Sequence, residues 1–175
     1  LVDDLVNLGR IEAGLDTRRE VIDLRQCIEQ VSQSVKKAIA RKNAQLTIDL
    51  SDNLPDFFGN PVQIRQMFEH LIDNSIKYSQ PGGRIAISGE LEQDQIIIKF
   101  ADSGIGIPPE NLETVFQRFY TSRPKGQAFG GNSGLGLSIA RQIAVAHSGE
   151  LRAENRSGPD GAIIGARFIL DLPEA

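Results

Sequence analysis

The stretch Asp102-Ser103-Gly104-Ile105-Gly106-Ile107 decides how this chain is read. It follows an apolar run, Gln95–Ala101, that has the composition of a strand. A carboxylate at a strand end accepts a hydrogen bond from an exocyclic amine such as that of adenine. Gly104 and Gly106 let the backbone approach a flat ring and take φ > 0 where the turn needs it. In isolation Asp-x-Gly at a strand end is an ordinary turn. A dinucleotide fingerprint would need a third glycine at position 109, which is Pro109, so that reading fails. The meaning of the segment therefore depends on its neighbours along the chain.

Upstream, Asn60-Pro61 has the form of a helix N-cap followed by the first helical residue, and the pattern runs on to about Tyr78. At about 100° per residue, Ile64, Met67, Phe68, Leu71, Ile72 and Ser75 fall on one broad arc. His70, Asn74 and Lys77 fall together on the other side, with Tyr78 at its edge. On an average amphipathic helix such a face is simply solvated. Ahead of two glycine clusters it suits a polyphosphate. The Asn74 carbonyl is a hard oxygen ligand able to hold Mg²⁺ beside waters and phosphate oxygens, and Lys77 can meet a phosphate as a point charge.

Downstream, Ser133-Gly134-Leu135-Gly136-Leu137 opens a helical run with Leu135, Ile139 and Ile143 facing inward. Free N–H groups and the positive dipole end suit an anion there. No Lys-Ser/Thr pair follows the glycines, so this is not a P-loop, and a hinge with a cap is the plain alternative. Before it, Phe116-Gln117-Arg118-Phe119-Tyr120 leads into Thr121–Ser133, a polar, glycine-rich stretch without period that reads as a mobile loop. Its aromatics can anchor the loop base. Arg118 and Arg123 can reach a triphosphate, or are ordinary surface charges.

The remainder sets the fold. Residues 1–13 have a one-sided stripe of Leu1, Leu5, Leu8, Ile11 and Leu15, stopped at Gly14; so short a helix must pack on something, a missing helix being the natural partner. Residues 16–23 read as a linker entering a strand at Glu20–Asp23, and 24–42 as one long amphipathic helix. Gln45–Leu50 is a strand, and Asp52–Pro61 a loop. Arg84–Glu90 and Gln95–Ala101 form a hairpin across Glu92–Asp94, with Ile96-Ile97-Ile98 expected buried on both faces. Pro108–Phe116 reads as a short helix, Gly134–His147 as a helix, and Glu150–Asn155 and Ala162–Leu172 as closing strands. His147 ends a helix, where a partial positive charge suits the dipole. These elements predict an α+β, two-layer sandwich: a mixed sheet covered on one face by helices, with a short N-terminal helical tail.

Composition narrows the class. The chain has 175 residues, 40% hydrophobic and 24% charged, enough for a sizeable core without disulfides or metals. A net charge of −4 argues against nucleic acid as the main partner. The single Cys27 excludes an internal disulfide framework and fits a reducing compartment. No apolar run approaches the ~20 residues that span a bilayer. Opening at Leu1 inside a periodic segment, the sequence reads as a piece of a longer chain.

The order and spacing of these segments resemble the catalytic and ATP-binding domain of sensor histidine kinases, within the ATPase superfamily shared with gyrase, Hsp90 and MutL. His70-Leu-Ile-Asp-Asn74-Ser-Ile-Lys77-Tyr78 resembles that family's N box and Asp102-x-Gly104-x-Gly106 its G1 box. Phe116–Tyr120 resembles the F box and Ser133–Leu137 the G2 box. Residues 1–15 resemble the end of the second helix of the dimerisation and phosphoacceptor domain, 16–23 a linker and first strand, and 24–175 the catalytic domain. The lid stretches around Phe119–Pro124 and Phe129–Ser133 are similar to those of alphaproteobacterial acid-responsive membrane sensors.

The resemblance implies a Bergerat-type ATP-binding fold and a protein histidine kinase using ATP and Mg²⁺. Asn74 would be the metal ligand, Lys77 would lie near phosphate and Tyr78 near the nucleotide. Asp102 would read adenine, with Gly104, Gly106 and Ile107 under the base. Gly134 and Gly136, with their neighbours Ser133, Leu135 and Leu137, would approach the phosphates; Arg118 and Tyr120 of the F box and Arg123 beyond it would also bind the nucleotide, and the stretch between the F and G2 boxes would be the mobile ATP lid. The partners implied are ATP, the phosphoacceptor helices of the same or a partner protomer, and indirectly a response regulator. The parent would be a homodimer, this part of it cytoplasmic and the whole an inner-membrane sensor. Two departures stand out. The N box usually begins with Asn, and the gyrase and Hsp90 groups carry Glu there, whereas this chain has His70; it is either a pH-sensitive phosphate or water contact or a surface histidine. Neither His70 nor His147 lies in a phosphoacceptor motif. The alternatives are a non-catalytic nucleotide-sensing module and a stand-alone ATPase of the gyrase or Hsp90 type, against which the missing Glu at position 70 argues.

Overall fold

The computed structural model describes residues 2–12, 14, 18–117 and 135–174. Its helices are α1 (Val2–Glu12), α2 (Leu24–Ser34), α3 (Lys36–Arg41), α4 (Pro61–Tyr78) and α5 (Gly136–Ala146). Its strands are β1 (Glu20–Ile22), β2 (Gln45–Leu50), β3 (Phe57–Gly59), β4 (Arg84–Glu92), β5 (Gln95–Asp102), β6 (Glu150–Ser157) and β7 (Ile163–Pro173). Five strands form one sheet in the order β2-β4-β5-β7-β6, and β1 pairs with β3 in a separate two-stranded ribbon. Only β2 and β4 run parallel, joined by a crossover that contains α4; the other pairs are antiparallel. This is the mixed sheet with helices on one face that the sequence predicts.

Strand alternation explains the layering. Along β5, Ile96, Ile98, Phe100 and Asp102 are buried and the residues between them only half-buried. The buried set faces α4, whose Ile64, Met67, Phe68, Leu71 and Ile72 are fully enclosed. The rings of Phe68 and Phe100 meet at 6.0 Å. Each such enclosed side chain contributes roughly 1.5–3 kcal/mol by leaving water. Ile97 is therefore not buried on both faces as expected; three consecutive isoleucines hide a period of two. The β4–β5 hairpin turns on Gln93 and Asp94, both at positive φ (47° and 66°), the backbone that suits the twist of a two-residue hairpin.

Other expectations are corrected. The helix expected over 24–42 is broken at Val35 (φ −102°, ψ 6°) into α2 and α3. Ser32 and Ser34 lie just before the break, and their hydroxyls donate back to the carbonyls of Ile28 and Val31, a competition that bends helices. The loop expected over 52–61 contains β3, a strand of three residues flanked by prolines and fixed by pairing Phe57 with Ile22. The Pro108–Phe116 helix is two single 3-10 turns, Pro109–Asn111 and Thr114–Phe116. The α1 stripe divides: Leu8 and Ile11 are buried, with α1 packed on α5 of this same chain, while Leu5 faces outward; Leu1 and Leu15 lie outside the described residues. Gly14 ends that helix region at φ +65°, donating to the Ile11 carbonyl.

Candidate nucleotide site

Asp102, the last residue of β5, is 1% exposed. Its Oδ1 accepts from the backbone N–H groups of Gly104 (2.9 Å) and Ala166 (3.2 Å). Its Oδ2 is buried and has no hydrogen-bond partner among the described residues. Burial pushes the carboxyl pKa up; the two backbone hydrogen bonds, then Arg156 and Lys42, pull it back. An unfilled acceptor on a buried carboxylate is costly unless something donates to it.

The loop that follows is clamped at both ends from β6. Arg156 Nη1 donates to the Asp102 carbonyl at 2.7 Å. Asn155 pairs with Ile107 twice: its Oδ1 accepts from the Ile107 N–H (2.8 Å) and its Nδ2 donates to the Ile107 carbonyl (2.6 Å). Gly104 lies against the end of α4, where an added Cβ would collide with the Tyr78 carbonyl oxygen. Gly106 has φ +78°, and a Cβ there would meet Ile163 and Asn155. The two glycines thus answer two different demands, close approach at 104 and a left-handed backbone at 106.

The helix α4 brings the other residues to this loop. Asn60 caps it, its Oδ1 accepting from the N–H groups of Val62 and Gln63 at 3.1 Å each, with Pro61 in the first turn. His70, Asn74 and Tyr78 are half-buried along one side. Lys77 is more exposed and pairs with Asp73 at 3.3 Å. His70 faces the start of α5: a Cβ on Gly136 would lie 3.2 Å from its Nδ1. His70 also borders a groove of about 410 Å³ between α1 and α4, walled by Asp3, Asp4, Arg10, Gln66 and Glu69 among others. Burial lowers the His70 pKa, opposed by Asp4, Asp73 and Glu69 and assisted by Lys77.

At the start of α5, Leu135 is fully buried in the core and Leu137 packs partly against it, so Leu135 offers a ligand its backbone only. Phe116 is buried edge-on to Phe168 at 6.1 Å, with the Arg141 guanidinium 4.4 Å above its ring. Arg118, Tyr120, Arg123, Ser133 and Gly134 lie outside the described residues. The structure therefore brings together His70, Asn74, Lys77 and Tyr78 on α4, Asp102–Ile107 after β5, and Gly136 at the start of α5. Sequence reading missed Lys42, Asn155, Arg156 and Ala166, which hold this constellation from distant positions; no local pattern marks them.

His147 corrects another expectation. It is 6% exposed, and its Nε2 accepts from the Asn60 N–H at 3.1 Å. That leaves the proton on Nδ1, which donates to the Ile143 carbonyl at 2.8 Å. The ring is a neutral latch between α5 and the cap of α4, not a cation at a helix end. Burial lowers its pKa, against the Ile143 hydrogen bond and with Arg19. A histidine whose pKa falls on folding takes up a proton on unfolding, so stability is complete above about pH 6.5 and declines below it. His70 acts in the same sense. The urea midpoint is accordingly expected to drop between pH 7.5 and 5.5, and to drop less in His147→Gln. A midpoint that rises on acidification contradicts this.

A family model for the histidine kinase-, DNA gyrase B- and HSP90-like ATPases matches residues 59–175. The chain belongs to this ATPase family. Family members among the curated relatives include the sensor protein ChvG of Rhizobium meliloti (strain 1021), 38% identical over 99% of this chain and 31% of that protein. The ChvG of Agrobacterium fabrum is 48% identical over 67% of this chain and 20% of that protein. The chain thus spans a third or less of these relatives' length. The solved catalytic domain of the histidine kinase ThkA superposes with a TM-score of 0.76 at 27% identity, covering 90% of this chain and 99% of that one. The ATPase-family fold seen here is that of histidine kinase catalytic domains.

Proposed function

We propose that this chain is the ATP-binding catalytic domain of a two-component sensor histidine kinase of the ChvG kind, which donates the γ-phosphate of ATP to a histidine on a separate phosphoacceptor segment. The unpartnered, buried Oδ2 of Asp102 supports this reading most directly. An adenine amine is a donor of the kind it lacks, and Gly104 and Gly106 let the loop after it close on the end of α4 and on β7. The start of α5 offers N–H groups for phosphates, and Lys77 supplies a mobile positive charge.

Among the described residues no group of three or more His, Cys, Asp or Glu side chains could hold a metal ion. Mg²⁺ would then bind through the Asn74 carbonyl together with phosphate oxygens and waters, in keeping with its preference for a partly hydrated shell. When bound, it neutralises charge on the phosphates. This chain's own part is to hold and orient the nucleotide, which is most of what phosphoryl transfer asks of a protein.

The acceptor histidine would be elsewhere. His147 is sealed by two hydrogen bonds, and His70 belongs to the nucleotide face. In this reading residues 1–15 are the end of a phosphoacceptor helix, 16–23 the linker and 24–175 the catalytic unit. The parent is a dimeric inner-membrane sensor with this part in the cytoplasm, passing phosphate on to a response regulator. Among the described residues no helix is long and apolar enough to cross a membrane. Calorimetric titration tests the site: saturable binding of ATP with Mg²⁺, weakened when EDTA removes the metal, and poor binding of GTP. Absence of ATP binding refutes it.

A further inference from the structure

Lys42 lies in the connection between α3 and β2, outside every segment so far placed in the site. Its Nζ donates to three backbone carbonyls at the end of α4: Ile76 at 2.6 Å, Lys77 at 2.7 Å and Ser79 at 2.8 Å. An ammonium has three donors, so all are used. These carbonyls belong to the helix terminus that has no partners of its own and carries the negative end of the dipole. The Gly82 N–H closes the arrangement by donating to the Lys42 carbonyl at 2.8 Å. The turn after α4 is thereby stitched to the start of β2.

The helix end so held carries Lys77 and Tyr78, and the Tyr78 carbonyl is the surface on which Gly104 closes. The Lys42 ammonium also lies within electrostatic reach of Asp102, each favouring the charged form of the other. The other charged group acting on Asp102 is Arg156. We infer that Lys42 is a positioning residue for the nucleotide site, locking the end of α4 on which the adenine-reading loop closes and setting a positive charge within electrostatic reach of the Asp102 carboxylate. This inference rests on the ATP-site reading above. A compact ammonium suits the role, since it reaches three convergent carbonyls that a planar guanidinium cannot meet together.

The test is ATP affinity as a function of pH for wild type, Lys42→Met and Lys42→Gln. Burial already pushes the Asp102 pKa up; removing a neighbouring positive charge pushes it further, so the pH below which ATP binding fails moves upward. Lys42→Met is expected to bind ATP about tenfold more weakly at pH 7.5, a loss of ~1.4 kcal/mol, with its acid limb displaced to higher pH. Lys42→Gln keeps a hydrogen-bond donor without the charge, and decides the matter if Lys42→Met does not fold: its acid limb is displaced as well. A purely structural lysine would lower the melting temperature and leave the acid limb in place. A folded variant with wild-type affinity and a wild-type acid limb overturns the role of Lys42 while the nucleotide site stands. Failure of wild type to bind ATP overturns both.

Discussion

Asp102→Asn is expected to lose ATP affinity by about 100-fold while the domain stays folded. Oδ1 accepts from two backbone N–H groups, Gly104 and Ala166. An asparagine keeps that role only by turning its own carbonyl oxygen toward them. Its NH₂ then occupies the place of Oδ2 and confronts a donor, the adenine amine, with another donor. The hydrogen bond to a charged group, worth ~1.5–3 kcal/mol, is lost and a donor is left facing a donor, so a loss of about 100-fold, or ~2.7 kcal/mol, is expected.

Stability should move the other way. The Asp102 pKa is raised by folding, so at neutral pH the buried carboxylate opposes the fold, and that opposition is relieved only as pH falls toward its folded pKa. A neutral amide removes the penalty. The melting temperature of Asp102→Asn is therefore expected to equal or exceed that of wild type at pH 7.5. Calorimetry and thermal melting on the same sample separate the two effects. Undiminished ATP binding would mean that the carboxylate does not read the base.

Gly104→Ala is expected to damage fold and site together. The added methyl would collide with the Tyr78 carbonyl oxygen; a Cβ has no rotation that moves it and the oxygen is backbone, so no side-chain rotation relieves it. Either the loop lifts from α4 or the end of α4 unwinds, and each separates Tyr78 and Lys77 from Asp102. A cost of roughly 3 kcal/mol fits the upper range of overpacking, which lowers Tm by about 6–12 °C for a domain of this size. ATP binding is expected to disappear at temperatures where the variant is still folded. Gly9→Ala is the matched control: nothing lies within 4 Å of its added methyl, and alanine favours a helix. A Gly104→Ala protein with wild-type stability and affinity would show that the close approach is dispensable.

These residues differ in how far the sequence alone discloses them. The places of Asp102, Gly104 and Asn74 were legible because they are local: a carboxylate at the end of an apolar run, a glycine in the turn after it, an amide on the polar side of an amphipathic helix; that Gly104 answers the Tyr78 carbonyl rather than a flat ring was not. Asn60 was legible for the same reason, since a cap acts on its own helix. The clamps were not. Arg156 reaches Asp102 and Asn155 reaches Ile107 across the sheet, and Lys42 reaches α4 from another element. No periodicity encodes a contact between residues so far apart; it exists only once β5, β7 and β6 are in register.

The errors have the same origin. His147 sits at a helix end, where local reasoning assigns a partial charge, but the tertiary contact with Asn60 fixes it neutral. β3 is too short to show a period and owes its existence to β1. Leu5 shows the converse, a residue of the apolar stripe that α5 leaves uncovered. At Val35 a run of suitable residues is interrupted by serine hydroxyls returning to the backbone, a competition that helical periodicity does not register.

The most direct test of the central claim is transfer in trans. The chain would be incubated with Mg²⁺ and ATP labelled on the γ-phosphate, with and without a separately purified phosphoacceptor helix pair of a ChvG-type sensor. The account predicts acid-labile phosphohistidine on the helix pair, none on this chain by itself, and no transfer by Asp102→Asn. Label that accumulates on this chain alone, or ATP that binds normally and is never passed to the helix pair, would contradict it.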